Sequence, residues 1–269
     1  MKRLLAVVFS LVAMSASAAV VLPVGAASQV LVPAAGSAPG ANGTFFRSDI
    51  TIVNFANHDQ LVALQWLPQA GNGTGPVTNT ITIRAASGTR SGDFVHDYFN
   101  TSGLGSLIIS GITSAGTVDT TAALYVASRI WTPQPGTSGT TSQSFPAIPL
   151  NAVNTPVAAL FSLGGQDNPS NYRVNVGIVN IDPNNAQTFS ISIPSLGPPP
   201  PAITVTVPPM SMQQVSIGSG FANVNQITIQ NATASATRSN LWMAYGSTLD
   251  NTTGDAWSEL AVAGTTTTP

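Results

Sequence analysis

Beyond its N-terminal segment the chain is written in short alternating runs of apolar and polar residues. They fall at 49–55, 61–67, 78–84, 106–110 and 122–131, and again at 173–180, 188–193, 202–207, 226–230 and 232–242. Clusters of Gly, Pro, Asn and Asp bound each run, and a period of two is the period of a strand. In Ile203-Thr204-Val205-Thr206-Val207 the branched apolar residues alternate with Thr, which predicts one buried face and one wet face. No long capped stretch with helical period follows the N-terminal segment, so the chain reads as all-β.

The runs repeat. Residues 46–54 read FRSDITIVN and residues 172–180 read YRVNVGIVN, an offset of 126. Arg47 matches Arg173, Asp49 matches Asn175, and Asn54 matches Asn180. A period that long marks a duplicated domain rather than a short solenoid unit. The match extends through 79–83 with 202–207, 105–109 with 225–229 and 128–131 with 238–242. The last pair aligns Arg129 with Arg238 and Trp131 with Trp242. With about seven strands per copy, the prediction is two tandem immunoglobulin-like β-sandwich domains, a jelly roll being the competitor. The expected division is a signal peptide at 1–18, sandwiches at 19–152 and 153–264, and a disordered tail at 265–269. The linker around Pro149 and Pro156 is short, so the copies should sit in tandem with limited freedom.

Lys2 and Arg3, the apolar run 4–13 and Ala16-Ser17-Ala18 have the order of a cleaved secretory signal. Export to the periplasm, cell surface or medium is therefore expected. No Cys follows it, which excludes a lipid-anchored leader and any disulfide. Eight Lys and Arg face ten Asp and Glu, and without Lys2 and Arg3 the balance is six against ten, or −4. Nucleic acid and anionic membrane surfaces need clustered basic residues and are not expected partners. Charged residues are 7% of the chain, so Ser, Thr, Asn and Gln must make the surface, and little repulsion opposes self-association.

Candidate chemistry is sparse. His96 lies in Asp93-Phe94-Val95-His96-Asp97 and His58 in a turn before Asp59, but the second copy has neither, and both read as surface histidines. No Ser sits in a G-x-S-x-G elbow, and the single Glu, Glu259, gives no carboxylate pair for glycoside cleavage. No cofactor is implied, with calcium at the oxygen-rich loop 250–255 as a weakly supported exception that lacks EF-hand spacing. Trp131, Trp257 and Tyr245 are candidates for stacking on a sugar. The repeated Arg47, Arg129, Arg173 and Arg238 read as structural groups that bridge carbonyls or a strand-edge carboxylate.

The run from Phe46 to Asn54, the run 61–66, and Ser128-Arg129-Ile130-Trp131 with its Gly/Thr-rich loop and Pro146 resemble secreted bacterial proteins with tandem immunoglobulin-like repeats. The resemblance spans both copies and is clearest in the first. It implies fold and export but no activity. The expected function is a non-enzymatic structural or interaction module of the cell envelope or extracellular space. Its partners would be envelope polysaccharide or other surface proteins. A carbohydrate-binding module using exposed aromatics is the alternative, and a secreted hydrolase stands behind both.

Overall fold

The protein is described here from a computed structural model covering residues 24–40, 43–70, 76–134, 136, 138–161, 171–193, 201–218 and 226–264. The expected signal peptide and tail lie outside these residues. The first half holds β1 (Gln29–Pro39), β2 (Phe45–Asn54), β3 (Gln60–Pro68), β4 (Val77–Ile83), β5 (Ser87–Ser91), α1 (Phe94–Phe99), β6 (Gly103–Ile112), β7 (Leu124–Pro133), β8 (Thr140–Ser144) and β9 (Ile148–Pro149). The second holds β10 (Val157–Phe161), β11 (Tyr172–Asn180), β12 (Gln187–Ser192), β13 (Ile203–Val207), β14 (Ser211–Gly218), β15 (Gln226–Asn231), β16 (Trp242–Asp250), β17 (Ala256–Leu260) and β18 (Val262–Gly264).

The duplication is complete at the level of strand pairing. In the second half the orders are β13-β12-β15-β10-β18 and β14-β11-β16-β17. The first half has the same orders, β4-β3-β6-β1-β9 and β5-β2-β7-β8, all ladders being antiparallel. Its two sheets are also joined, because the end of β1 pairs with β2 at Ser37↔Arg47 and Pro39↔Phe45. Among the described residues each half has nine strands, more than the seven expected from sequence, because the short β5, β8, β9 and their counterparts carry weak alternation.

β1 makes that crossing through a bulge. Its register against β6 shifts between Val32 and Ala35, where Pro33 has no N–H for the ladder. The Ser106 hydroxyl donates to the Pro33 carbonyl at 2.7 Å. The buried Ser48 Oγ accepts from Gly36 N at 2.6 Å and donates to Gly36 O, fixing the bend.

Each half has its own core. In the first, Val30, Ile50, Val62, Leu64, Trp66 and Leu107 meet between the sheets, closed by Phe94 and Val95 of α1. This helix was not expected, since six residues are too few to display a helical period. The second core is built from Leu160, Val176, Phe189, Ile229 and Trp242 among others. A third core joins the halves, with Leu31, Leu67, Ile108 and Phe145 packed on Val179, Met212, Met243 and Tyr245. The outer face of the β3-β6-β1 sheet is therefore buried too. Hence β6 shows an unbroken run of buried residues where alternation predicted a wet face, and β1, which no predicted run covered, is buried along its length as well. Side-chain bonds lace the same boundary. Ser211 donates to Pro68 O at 2.7 Å, and Gln143 Nε2 donates to Thr248 O at 2.7 Å and Trp257 O at 3.0 Å.

Candidate functional site

The outward face of β5-β2-β7 in the first half concentrates the rare charges. Register places Asp49 opposite Arg129, with Arg90 on the flanking strand. Asp49 is 7% exposed. Its carboxylate accepts from Arg90 Nε at 2.7 Å and Nη2 at 2.6 Å, and from Arg129 Nε at 3.0 Å. The Arg90 hydrogen bonds dominate and hold the Asp49 carboxyl below its ordinary pKa, against partial burial that pushes it up. One strand position away, Arg47 Nε lies 3.3 Å from Asp93 Oδ2. Its guanidinium sits 4.7 Å from the Phe45 ring centroid and 5.8 Å from that of Trp131. Trp131 Nε1 donates to Gly92 O at 3.0 Å. Every arginine and carboxylate of this face therefore has an opposite charge beside it, although Asp93 Oδ1 is buried without a hydrogen-bond partner.

The same positions in the second half have a different chemistry. Register makes Arg173 the counterpart of Arg47 and Asn175 that of Asp49. Gln214 stands for Arg90, Ser247 for Arg129 and Leu249 for Trp131. These five residues, Arg173, Asn175, Gln214, Ser247 and Leu249, all line a cleft of about 240 Å³ between the halves. The facing wall from the first half is apolar at Ala38, Pro39, Phe46, Leu104, Ile130 and Phe145 and polar at Thr141, Ser142 and Gln143. Among the described residues no carboxylate lines the cleft, and Arg173 is its one charged residue. Ser247 Oγ donates to Gln143 Oε1, and Gln214 Oε1 accepts from the buried Tyr245 hydroxyl at 3.1 Å. Arg173, Asn175 and the Gln214 amide nitrogen remain as donors toward the cleft.

Asn54 and Asn180, both fully buried at the ends of β2 and β11, do one job twice. Asn54 Nδ2 donates to the carbonyls of His58, Ile83 and Arg84, and its Oδ1 accepts from Ala56 N. Asn180 Nδ2 donates to the carbonyls of Asn185, Val207 and Pro208, and its Oδ1 accepts from Asp182 N. Each ties the following turn to the end of a neighbouring strand. Sequence reading missed a similar pair, Gln60 and Gln187, buried at the starts of β3 and β12. Their signal was a second polar pair in the repeat, Gln60 following Asn54 by six residues and Gln187 following Asn180 by seven.

Several sequence expectations are corrected. Trp131 and Trp242 are not equivalent. Asn180 faces Trp242 while Asn54 faces Leu124, so Trp242 takes the place of Leu124 in the core. Arg129 and Arg238 part for the same reason. Arg238 lies in the loop before β16, where Nε and Nη2 both donate to Thr233 O at 2.9 and 2.7 Å. The misalignment arose because Arg129 and Trp131 both lie within β7, whereas Arg238 lies before β16 and Trp242 opens that strand. Tyr245 is 0% exposed, packed edge-on to Phe145 at 5.3 Å, and cannot stack on a ligand. Trp257 is half-buried with its ring edge-on to Tyr172 at 5.8 Å.

The two histidines lie apart. His96 Nδ1 is 3.4 Å from Asp97 and His58 Nε2 is 4.0 Å from Asp119, both rings being well exposed. In the 250–255 loop, Asp250 accepts from Thr252 N at 2.7 Å and from Thr253 N and Oγ1 at 3.3 and 2.9 Å, an arrangement that closes the β16–β17 hairpin. Among the described residues no three His, Cys, Asp or Glu side chains gather to hold a metal. No protein-family model matches the chain, and no curated protein matches it in sequence.

Proposed function

We propose that the protein is an exported, non-enzymatic interaction module of the cell envelope or extracellular space. The observation that carries this reading is the third core, which fuses the two halves into one body with a fixed geometry. An apolar interface of this kind opposes relative motion of the two halves, as a structural or spacing role requires. We read each half as an elaborated immunoglobulin-like sandwich. β1-β6-β3 against β2-β7-β8 corresponds to the B-E-D and C-F-G strands of that fold, with β4 and β5 added. The edge strand β4, VTNTITI, carries no charge to oppose a partner strand.

The carbohydrate reading has less support. Tyr245 is buried, the Trp131 face is shared with Arg47, and the Trp257 ring meets Tyr172. The deciding experiment is retention of the purified protein on cell-envelope material and on a polysaccharide panel, without and then with calcium. Retention on envelope protein fractions supports the module. Saturable retention on one polysaccharide replaces it with the carbohydrate reading. N-terminal sequencing of the protein recovered outside the cytoplasm should find Ala19 first, and an intact Met1 there refutes signal cleavage.

A further inference from the structure

The cleft between the halves is the place where duplication has changed chemistry rather than preserved it. In the first half the same face is closed electrostatically, because Asp49 takes Arg90 and Arg129 and Asp93 takes Arg47. In the second half each partner of that network is gone. Asn175 replaces the carboxylate, Gln214 and Ser247 replace two of the arginines, and strand β14 has no acid in place of Asp93. Arg173 alone keeps its charge, and no ion pair or hydrogen bond engages its guanidinium among the described residues. A guanidinium left without an anion beside neutral amide donors is a receptor for an anion.

The rest of the cleft restricts which anion. Phe46, Leu104, Ile130 and Leu249 offer apolar surface opposite and beside the arginine. A bare inorganic anion would leave that surface uncovered, and a polyanion would bring further charge against it without partners. At about 240 Å³ the space lies just under the common range for small-molecule sites, roughly 300–1,000 Å³. We propose that the cleft binds a small amphipathic carboxylate, with its carboxyl group on Arg173, Asn175 and Gln214 and its hydrocarbon part on the apolar wall from the first half. The site exists only when the halves are docked, so an occupant bridges them. This inference goes beyond the module reading and stands independently of whether the protein binds envelope material.

Octanoate, octanol and octylamine titrated into the purified protein by calorimetry, with backbone amide NMR shifts to locate binding, test it. Octanoate should bind with shifts at 173–177 and 245–249, octanol at least about tenfold more weakly, and octylamine not at all. Arg173→Gln should weaken octanoate about 10- to 100-fold and leave octanol unchanged. Asn175→Asp, which restores the carboxylate present in the first half, should abolish octanoate binding while the thermal midpoint stays near that of the parent. Octanoate bound no better than octanol, an Arg173→Gln affinity within twofold of the parent, or no octanoate binding at 10 mM (about its practical limit in such a titration) each overturns the proposal.

Discussion

At the scale of single residues, buried polar side chains with full complements of partners do more than their number suggests. Asn54 and Asn180 each hold three carbonyls and one amide in the dry interior. Either Asn→Ala change leaves those groups unpaired and should cost about 2–4 kcal/mol, read as a lowered urea midpoint with unchanged slope. Asp substitution should cost as much, because a carboxylate facing three carbonyls presents acceptor to acceptor. Asp49 makes a different prediction. Its folded-state pKa lies below the ordinary 3.8, held there first by Arg90. Stability from this group is present at pH values above 3.8 and is lost as pH falls through the folded value. Asp49→Asn should therefore flatten part of the acid limb of a stability–pH curve below about pH 4 and leave the slope at neutral pH unchanged. An unaltered acid limb refutes the assignment.

At the scale of elements, the two copies of one strand pair diverge by compensated substitutions. Gly177 on β11 faces Tyr245 on β16, whereas Thr51 on β2 faces Ala127 on β7. A methyl group built on Gly177 would collide with the ring of Tyr245, which is wholly buried. Gly177→Ala should cost about 1–3 kcal/mol by overpacking. Combined with Tyr245→Ala its cost should shrink, giving non-additivity in a double-mutant cycle. Full additivity would show that the ring moves freely. Burial also keeps the Tyr245 phenol protonated, its pKa being pushed well up, so it serves as a hydrogen-bond donor to Gln214 across ordinary pH.

At the scale of the molecule, the third core decides whether the chain behaves as one unit or two. Phe145 reaches from the first half onto Tyr245, and its removal opens the shared interface. Phe145→Ala should cost about 3–5 kcal/mol. It should also split a single calorimetric unfolding transition into two, since each half keeps its own core. A single transition in both proteins would place the cooperativity elsewhere. Residues 153–264 produced alone would expose Val179, Ile181, Met212, Met243 and Tyr245. Sedimentation should show that fragment self-associating, and a stable monomer would mean the shared core contributes little.

Alternation of apolar and polar residues determined the all-β class, because a strand shows its two faces in sequence with a period of two. The copied FRSDITIVN and YRVNVGIVN segments determined the offset, and with it the pairing of Arg47 with Arg173 and Asn54 with Asn180. The tertiary structure decided what local pattern cannot encode. Strand register moved Trp242 onto Leu124 and Arg238 into a loop, since a short motif carries no information about which neighbour it faces. The docking of one sheet on another buried Tyr245 and the second face of β1, because a surface that meets a partner has the same residues as a core. The cleft at Arg173 belongs to the tertiary structure alone. Its walls come from strands of both halves, and the charge that matters there is one left without its counterpart.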